Sequence, residues 1–600
     1  MEAPLSEVCW TPDEATIAAS HVSRLMRDRG VRTVPDLHRW TVEHPSTFWS
    51  HVAHDLGVVF DEHASEVLDA SDPQRPKWFP GARMNIVRSC LEGDDDALAI
   101  VESSDDGIQR ITRAELRSRV TQFASGFVDA GYEPGDRVAI AMPMTSDAVV
   151  AYLGTIAAGG VVVSIADSFA PDEIAVRLGL TDVVAIVTQD VTRRAGRTLP
   201  MYEKCTSASS APCIVVDTGA GAPLRAQDVT WSEFQGARST LHPVSSPPDG
   251  HTNILFSSGT TGEPKAIPWN HTTPLKAAMD GRYHHDIHDG DVVAWPTNLG
   301  WMMGPWLIYA SLLNGAAMAL HPDAPTTRDF IAFVDSAGVT MLGLVPSIVA
   351  AWRANDVLVP GDLATVRVLS STGEASNPDD YRWLMDTVGA PVIEYCGGTE
   401  IGGGYITGTV VQSAIPSRFT TPAFGIDIAI LDDAGQPADS GECFLIGPSI
   451  GLSTELVHRD HGEVYFSGAP EGMRRHGDHI ERMPDGTYRA RGRMDDTMNL
   501  GGIKTSSAEL EEVLATVPGV TDVAAVSVPP PEGGPERLVV HVVVVPGRDT
   551  GDALRGDLQD ALRTRLNPLF RIADVVVVDE LPRTASHKVM RRVLREEYGR

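Results

Sequence analysis

The run Asn253–Asn270 reads NILFSSGTTGEPKAIPWN. Its middle, Ser257, Ser258, Gly259, Thr260, Thr261 and Gly262, is all hydroxyls and glycines, and Lys265 follows. Glycine lets backbone N–H groups approach a ligand closely, hydroxyls add donors, and the lysine adds positive charge. That is chemistry for a polyphosphate tail. The run is not a Walker A loop, because it lacks G-x-x-x-x-G-K-[ST]. Alone it has the composition of an ordinary turn, so its meaning depends on the groups that accompany it along the chain. Downstream, Glu394-Tyr395-Cys396-Gly397-Gly398-Thr399-Glu400 offers a hydroxyl to a phosphate and a carboxylate to Mg2+, a hard cation that prefers oxygen. His476-Gly477-Asp478 supplies a carboxylate suited to a ribose diol, and Arg493 a planar fork suited to phosphate. Lys588 lies in a basic tail, LPRTASHKVMRR.

These groups need rigid elements to hold them. Asn253–Phe256 reads as a buried strand emptying into the glycine loop. Between Ala97 and Val216, predicted strands at 97–101, 137–141, 161–165, 185–188 and 214–216 alternate with helices. That rhythm predicts a doubly wound, largely parallel α/β sheet. A second alternating stretch runs from Val292 to Ile393 and carries Trp301, Met302 and Met303 after one strand. Thr372, Gly373, Glu374 and Ala375 follow another, at 366–369. After Phe424 short strands and turns predict a β-rich subdomain. Ser506-Ser507-Ala508-Glu509 reads as a capping box opening a helix. Strands at 523–528, 538–545 and 574–578, with a helix near 552–566, predict a compact α+β unit. The expected division is a large domain 1–494, with 1–93 as an N-terminal segment packed on it, and a small mobile domain 495–600. Trp40, Phe48-Trp49 and Trp78-Phe79 are the expected anchors of that segment.

Six hundred residues exceed one core. The formal net charge of -31 argues against nucleic-acid and anionic-membrane partners. The six cysteines are scattered without C-x-x-C, which fits a reducing compartment and gives no zinc site. No signal segment opens the chain and no S-K-L closes it, so a cytoplasmic location is expected. The apolar run 148–166 is split by Gly159-Gly160. It reads as a buried helix to Ala158 and a buried strand 161–165, not as a membrane span.

Taken in order, S-S-G-T-T-G-E-P-K, S-T-G-E-A, Y-C-G-G-T-E, H-G-D, G-R-M-D-D, G-G-I-K and L-P-R-T-A-S-H-K resemble the adenylate-forming (ANL) superfamily. Within it they resemble AMP-forming acyl-CoA synthetases of the acetyl-CoA synthetase branch. FWSHV and WFPGARMNIVRSCL are similar to that branch's N-terminal segment, and EYCGGTEIGGGY and GRMDDTMNLGGIK to plant peroxisomal acyl-activating enzymes. The resemblance implies roles. ATP would lie on Ser257–Gly262 and Lys265, with Gly373, Glu374, Ala375, Glu394, Tyr395 and Cys396 around its adenine. Asp478 would take the ribose, Thr399 and Arg493 the α-phosphate, and Glu400 the Mg2+. Trp301, Met302, Met303, Thr372, Gly397 and Gly398 would line the carboxylate pocket. Asp495 would be the hinge, and Gly501, Gly502 and Lys504 would approach the pantetheine arm. Arg177 and Arg563 would bind the coenzyme A nucleotide, and Lys588 would serve adenylation. Cys396 replaces an aromatic and His587 a glycine. Acetate-specific relatives have tryptophan where Gly397 stands, so a medium or bulky carboxylic acid is expected. The expected reaction forms an acyl-adenylate and then a thioester with coenzyme A. The alternatives are an enzyme loading a separate carrier protein, or a partial enzyme performing one half-reaction. Self-association as a homodimer is left open.

Overall fold

A computed structural model describes residues 8–104, 107–257, 264–373, 376–432, 434–493, 497–500, 503–530, 534–582, 589 and 591–598, with backbone alone at a few of these. Two seven-stranded sheets form the body. The first runs, edge to edge, through Val229–Thr230, Cys213–Val216, Ala185–Gln189, Arg137–Ala141, Val161–Ile165, His251–Ser257 and Lys265–Asn270. The second runs through Val392–Glu394, Val368–Ser371, Met341–Leu344, Val292–Ala294, Ala317–Leu320, Leu98–Ser104 and Gly107–Thr112. Each sheet is parallel except for one antiparallel edge strand. This is the expected doubly wound α/β architecture.

One predicted strand changes sheets. The strand predicted at 97–101 belongs by sequence to the first alternating stretch, yet Leu98–Ser104 pairs with Ala317–Leu320 in the second sheet. Hydrophobic runs mark strands, but they do not say which neighbour completes the ladder. The apolar run divides as expected. Helix Ser146–Ala157, capped by the Thr145 hydroxyl accepting from Ala148 N, is buried at every residue but Asp147, and strand Val161–Ile165 follows. Among the described residues no helix is long and apolar enough to cross a membrane.

The N-terminal helices close over the body through Phe48 and Trp49, both fully buried. Trp49 and Trp78 meet edge to face at 6.0 Å. His21, Asp286 and His288 bring ligand atoms within 4.8 Å of one another. They form a staple rather than a metal centre. The two imidazoles stack at 4.2 Å, so their lone pairs run side by side instead of converging. Arg24 donates to His21 Nδ1 at 2.9 Å, and His21 Nε2 donates to Ile287 O at 3.1 Å.

The β-rich part is an antiparallel sheet of Asp427–Leu431, Ser440–Ile446, Met473–Arg482 and Tyr488–Arg493. Beyond it lie a hairpin, Thr497–Leu500 with Ile503–Ser506, and a sheet of Val520–Val528, Arg537–Val544 and Ile572–Val577. Helices Ser507–Leu514 and Asp552–Arg565 pack on that sheet around a core of Leu510, Leu514, Leu554, Leu558 and Leu562.

Candidate active site

Most of the predicted site lies past the carboxyl ends of parallel strands, the edge where open α/β sheets bind ligands. His251–Ser257 runs parallel to Val161–Ile165 and returns as Lys265–Asn270, with Ser257 opposite Lys265. Ser257 Oγ is buried and has no hydrogen-bond partner among the described residues. A donor left in this state marks a place for an acceptor outside the described residues. Lys265 Nζ stands 5.3 Å from the centre of the Tyr465 ring. Ser258, Gly259, Thr260, Thr261 and Gly262 lie outside the described residues.

From the second sheet, Thr372 and Gly373 follow Val368–Ser371, and Cys396 to Glu400 follow Val392–Glu394. Glu374 and Ala375 lie outside the described residues. Thr399–Ile401 is a single 3-10 turn, closed by Gly402 at φ +66. The body clamps its backbone. Trp269 Nε1 donates to Thr399 O at 2.8 Å, and Ser453 N donates to Glu400 O at 2.8 Å. Buried Arg474 donates to Ser453 O and Oγ at 2.6 and 2.7 Å and stacks on Tyr465 at 4.0 Å. Both carbonyls of the turn are thereby held.

A second clamp lies beneath. Lys276 and Asp280, one turn apart on helix Thr273–Tyr283, are fully buried and paired at 2.7 Å. Asp280 also accepts from Tyr395 OH at 2.5 Å and from Gly404 N at 2.8 Å. One carboxylate thus grips residues on both sides of the turn that carries Thr399 and Glu400. Tyr395 is spent in this way. Its ring is 1% exposed and its hydroxyl accepts from Trp306 Nε1. Its side chain therefore belongs to the core, not to the adenine face expected from the sequence. Glu394 is also buried and accepts from Ser376 Oγ at 2.8 Å. Burial pushes its carboxyl up to about 7.

Asp478 comes from the β-rich sheet, directly across from Arg493 in the antiparallel register. Tyr405 OH donates to Asp478 Oδ2 at 2.8 Å, and Cys396 Sγ lies 3.6 Å from the same oxygen. His476 sits between Asp478 and Glu400. Hydroxyls and carboxylates from both sheets and the β-rich part therefore meet at one place. Glu400 Oε2 would be 3.0 Å from a Cβ at Gly398, so the glycine leaves room beside it. A carboxylate oxygen among hydroxyls suits a hard divalent cation. The side chains of Arg493 and Lys504 are not among those described, and Asp495, Gly501, Gly502 and Lys588 lie outside the described residues.

Gly397 departs from expectation. A Cβ built there would stand 2.0 Å from Gly403 O, on the neighbouring strand. The position faces that strand rather than an acyl pocket, so its glycine permits close strand approach. Trp301 sits between the body and the small sheet, packed on both cores and edge to face with Phe169 at 5.4 Å. Met302 is half-buried and Met303 buried, at the start of helix Met303–Leu312. Arg177 is 6% exposed. Its guanidinium lies 4.0 Å from the centre of the Phe169 ring and pairs with Glu173. Arg563 is exposed and pairs with Asp560 at 3.1 Å.

The small sheet's elements meet the body at this same place. Ala170 N donates to Leu566 O at 3.1 Å. Phe169, Arg177, Phe256 and Trp301 face Ile503, Leu566 and Phe570 across a cavity of about 20 Å³. Sequence reading missed Trp269, Lys276, Asp280, Tyr405, Ser453, Tyr465 and Arg474. Trp269 and His476 stand inside the motifs themselves. Ser453 and Arg474 carry no local signal.

The description "AMP-binding enzyme" matches residues 88–452, "AMP-binding enzyme C-terminal domain" residues 509–588, and "Acetyl-coenzyme A synthetase N-terminus" residues 34–90. The chain belongs to the AMP-binding enzyme family. It is an AMP-forming acyl-CoA ligase of the adenylate-forming superfamily, and ATP, coenzyme A and Mg2+ are the family's requirements. The ligase is 42% identical to probable acyl-activating enzyme 17, peroxisomal, of Arabidopsis thaliana, over 98% of this chain and 88% of that protein. It is equally 42% identical to a hexanoyl-CoA synthase of Cannabis sativa, with the same coverage. Its identity to an acetyl-coenzyme A synthetase of Desulfatibacillum aliphaticivorans is 30%, over 93% of this chain and 90% of that protein. Among solved structures it resembles the acetoacetyl-CoA synthetase from Streptomyces lividans. The TM-score is 0.77 at 26% identity, covering 98% of this chain and 95% of that one.

Proposed function

We propose that this ligase activates a medium-chain or bulky carboxylic acid in two half-reactions at the cluster of Lys265, Thr399, Glu400 and Asp478. The observation that carries the reading is the convergence of these groups at the carboxyl edges of two sheets, beside the small-domain interface. In the first step a carboxylate oxygen attacks the α-phosphorus of ATP and pyrophosphate leaves. In the second the coenzyme A thiol attacks the acyl carbonyl and AMP leaves. Positioning and charge neutralisation carry the first step. Asp478 would accept the ribose hydroxyls, Thr399 would donate to the α-phosphate, and Lys265 would face the phosphate loop. Glu400 would hold Mg2+, which supplies charge neutralisation at the phosphates. Cys396, beside Asp478, and Glu394, with the turn at Gly373, would border the nucleoside.

The packing of Ile503 and Leu566 against Trp301 and Phe169 supports an orientation in which the small domain serves the thioester step. Lys588, beyond the proposed hinge Asp495, would enter for the first step. Gly501, Gly502, Lys504, Arg177 and Arg563 stand on the proposed route of coenzyme A. Met302, Met303 and Thr372 remain the proposed acyl walls. The 42% identity to the hexanoyl-CoA synthase supports an acid longer than acetate. Six cysteines, none of them in a disulfide, support a reducing compartment, and we place the enzyme in the cytoplasm. The test is a carboxylic-acid panel read for AMP and acyl-CoA separately, with Lys588→Ala beside the wild type. Lys588→Ala should lower acyl-adenylate formation about a hundredfold, the scale for losing a placed charge at a transition state. It should leave thioester formation from supplied acyl-adenylate intact. Equal loss in both steps refutes the assignment of roles.

A further inference from the structure

Tyr465 touches this site, yet none of the roles above uses it. It lies on helix His461–Phe466 and is 3% exposed. Its ring meets two cations from different elements. Arg474, on strand Met473–Arg482, has its guanidinium carbon 4.0 Å from the ring centre. Lys265 opens strand Lys265–Asn270, and its Nζ stands 5.3 Å from the same centre. Both lie within the roughly 6 Å over which an aromatic face attracts a cation. The chain around the ring is tied down on both sides. His461 Nε2 donates to Ser453 O at 2.7 Å, beside the bond that Arg474 makes to the same oxygen, and Ser453 N donates to Glu400 O. On the lysine's side Val457 N donates to Ala266 O at 3.0 Å. Tyr465 therefore stands between the turn that carries Thr399 and Glu400 and the strand that opens with Lys265. Lys265 has a further contact besides the ring, so the ring adjusts the placement of its ammonium rather than supplying it alone.

We propose that Tyr465 is a positioning residue for adenylation: the face of its ring holds the Lys265 ammonium in register with the Thr399–Glu400 turn. The inference rests on the nucleotide reading of the site. Lysine is a compact charge on a flexible four-carbon stem, and a charge fixed in advance needs no reorganisation when the reaction occurs. A carboxylate in the place of the ring would fix the ammonium but cancel its charge. An aromatic face attracts the ammonium and leaves the net charge for phosphate oxygens. Arg474, stacked on the same ring and bonded to Ser453, ties that placement to the carbonyl of Glu400. The need for this register ends when pyrophosphate leaves, because the thioester step has no triphosphate to align.

The experiment uses the full-length enzyme in single turnover with ATP and hexanoate. The starting variant is Tyr465→Phe, which removes the phenol and keeps the ring. Phenylalanines bearing one, two or three fluorines are then placed at the same position. Fluorine withdraws electron density from the ring face at nearly constant volume, so it weakens cation attraction while leaving the packing in place. Tyr465→Phe should form acyl-adenylate within about twofold of the wild-type rate. The rate should then fall with each fluorine, to about a fifth of the Tyr465→Phe value with three, the scale of one cation–π contact. Thioester formation from supplied acyl-adenylate should stay level through the series. With Lys265→Met in the background, the fluorine series should become flat. A flat series with Lys265 present overturns the proposal, as does an equal decline in both half-reactions. A slope that survives Lys265→Met also overturns it, because the ring would then act through Arg474 alone. Failure of the nucleotide reading looks different. The wild type would then form no acyl-adenylate from ATP with any acid of the panel, or Lys265→Met would leave its rate of formation unchanged.

Discussion

Lys276→Met removes one charge of the fully buried pair and leaves Asp280 without its cation. Breaking a buried pair in this way costs about 3–5 kcal/mol, mostly as the cost of the uncompensated charge. Two features of the structure fix the place within that range. Both side chains are fully buried, which argues for the upper end. Tyr395 OH and Gly404 N still donate to the orphaned carboxylate, which brings the figure down. We expect about 3 kcal/mol. Lys276→Met/Asp280→Asn removes both charges at similar volume and should recover all but about 1 kcal/mol. Urea unfolding followed by tryptophan fluorescence measures this. Trp306 donates to Tyr395 at 3.1 Å, so its signal reports the body rather than the small sheet. The single variant should also raise KM for ATP, because Asp280 holds both flanks of the Thr399–Glu400 hairpin. A single variant within about 1 kcal/mol of wild type, or a double variant no more stable than the single, would refute the reasoning.

Glu394 gives a pH signature. Its carboxyl is raised to about 7 by burial, so the native state binds this proton more tightly than the unfolded chain does. The stability it contributes is therefore complete below the unfolded value near pH 4.5 and disappears as pH rises through 7. Relative to Glu394→Gln, the wild type should lose about 3 kcal/mol across that window, measured as the difference between two urea series. Parallel pH profiles would show that the carboxyl is not held neutral. Gly397→Trp should destabilise by more than the about 1–3 kcal/mol of ordinary overpacking, because its Cβ meets Gly403 O at 2.0 Å. Activity should fall toward every acid in the panel. A stable variant with a switched preference for acetate would return Gly397 to the acyl pocket.

The strands, their lengths and the α/β class were legible because their signals are local. Arg137–Ala141 and Val161–Ile165 are dominated by small and branched apolar residues, and the structure places strands at those residues. The site's motifs were legible for a related reason. Groups that must reach one ligand sit on short loops after strands, so their order survives in the chain. Partnership was not legible. That Leu98–Ser104 joins the second sheet, or that Arg474 reaches back to Ser453, depends on contacts between distant residues. Gly397 shows a third limit. Its residue type announced missing volume, but only the backbone direction shows that the volume lies toward Gly403 rather than toward substrate. Tyr395 shows the same, since an aromatic beside a motif serves a ligand or the interior according to which way its ring turns.

The strand that changes sheets has a consequence for how the chain is made. Met318 lies beside Ile100, and the whole first sheet is threaded between them in sequence. During synthesis Leu98–Ser104 leaves the ribosome long before its parallel neighbour exists. Until then its apolar edge has only the antiparallel hairpin with Gly107–Thr112 for cover. Exposed strand edges of this kind recruit other chains. A fragment ending between the two sheets would carry that edge permanently. Efforts to split or fuse this enzyme should therefore keep residues 98–112 together with the whole second sheet, through Glu394, rather than divide it where the alternating pattern pauses.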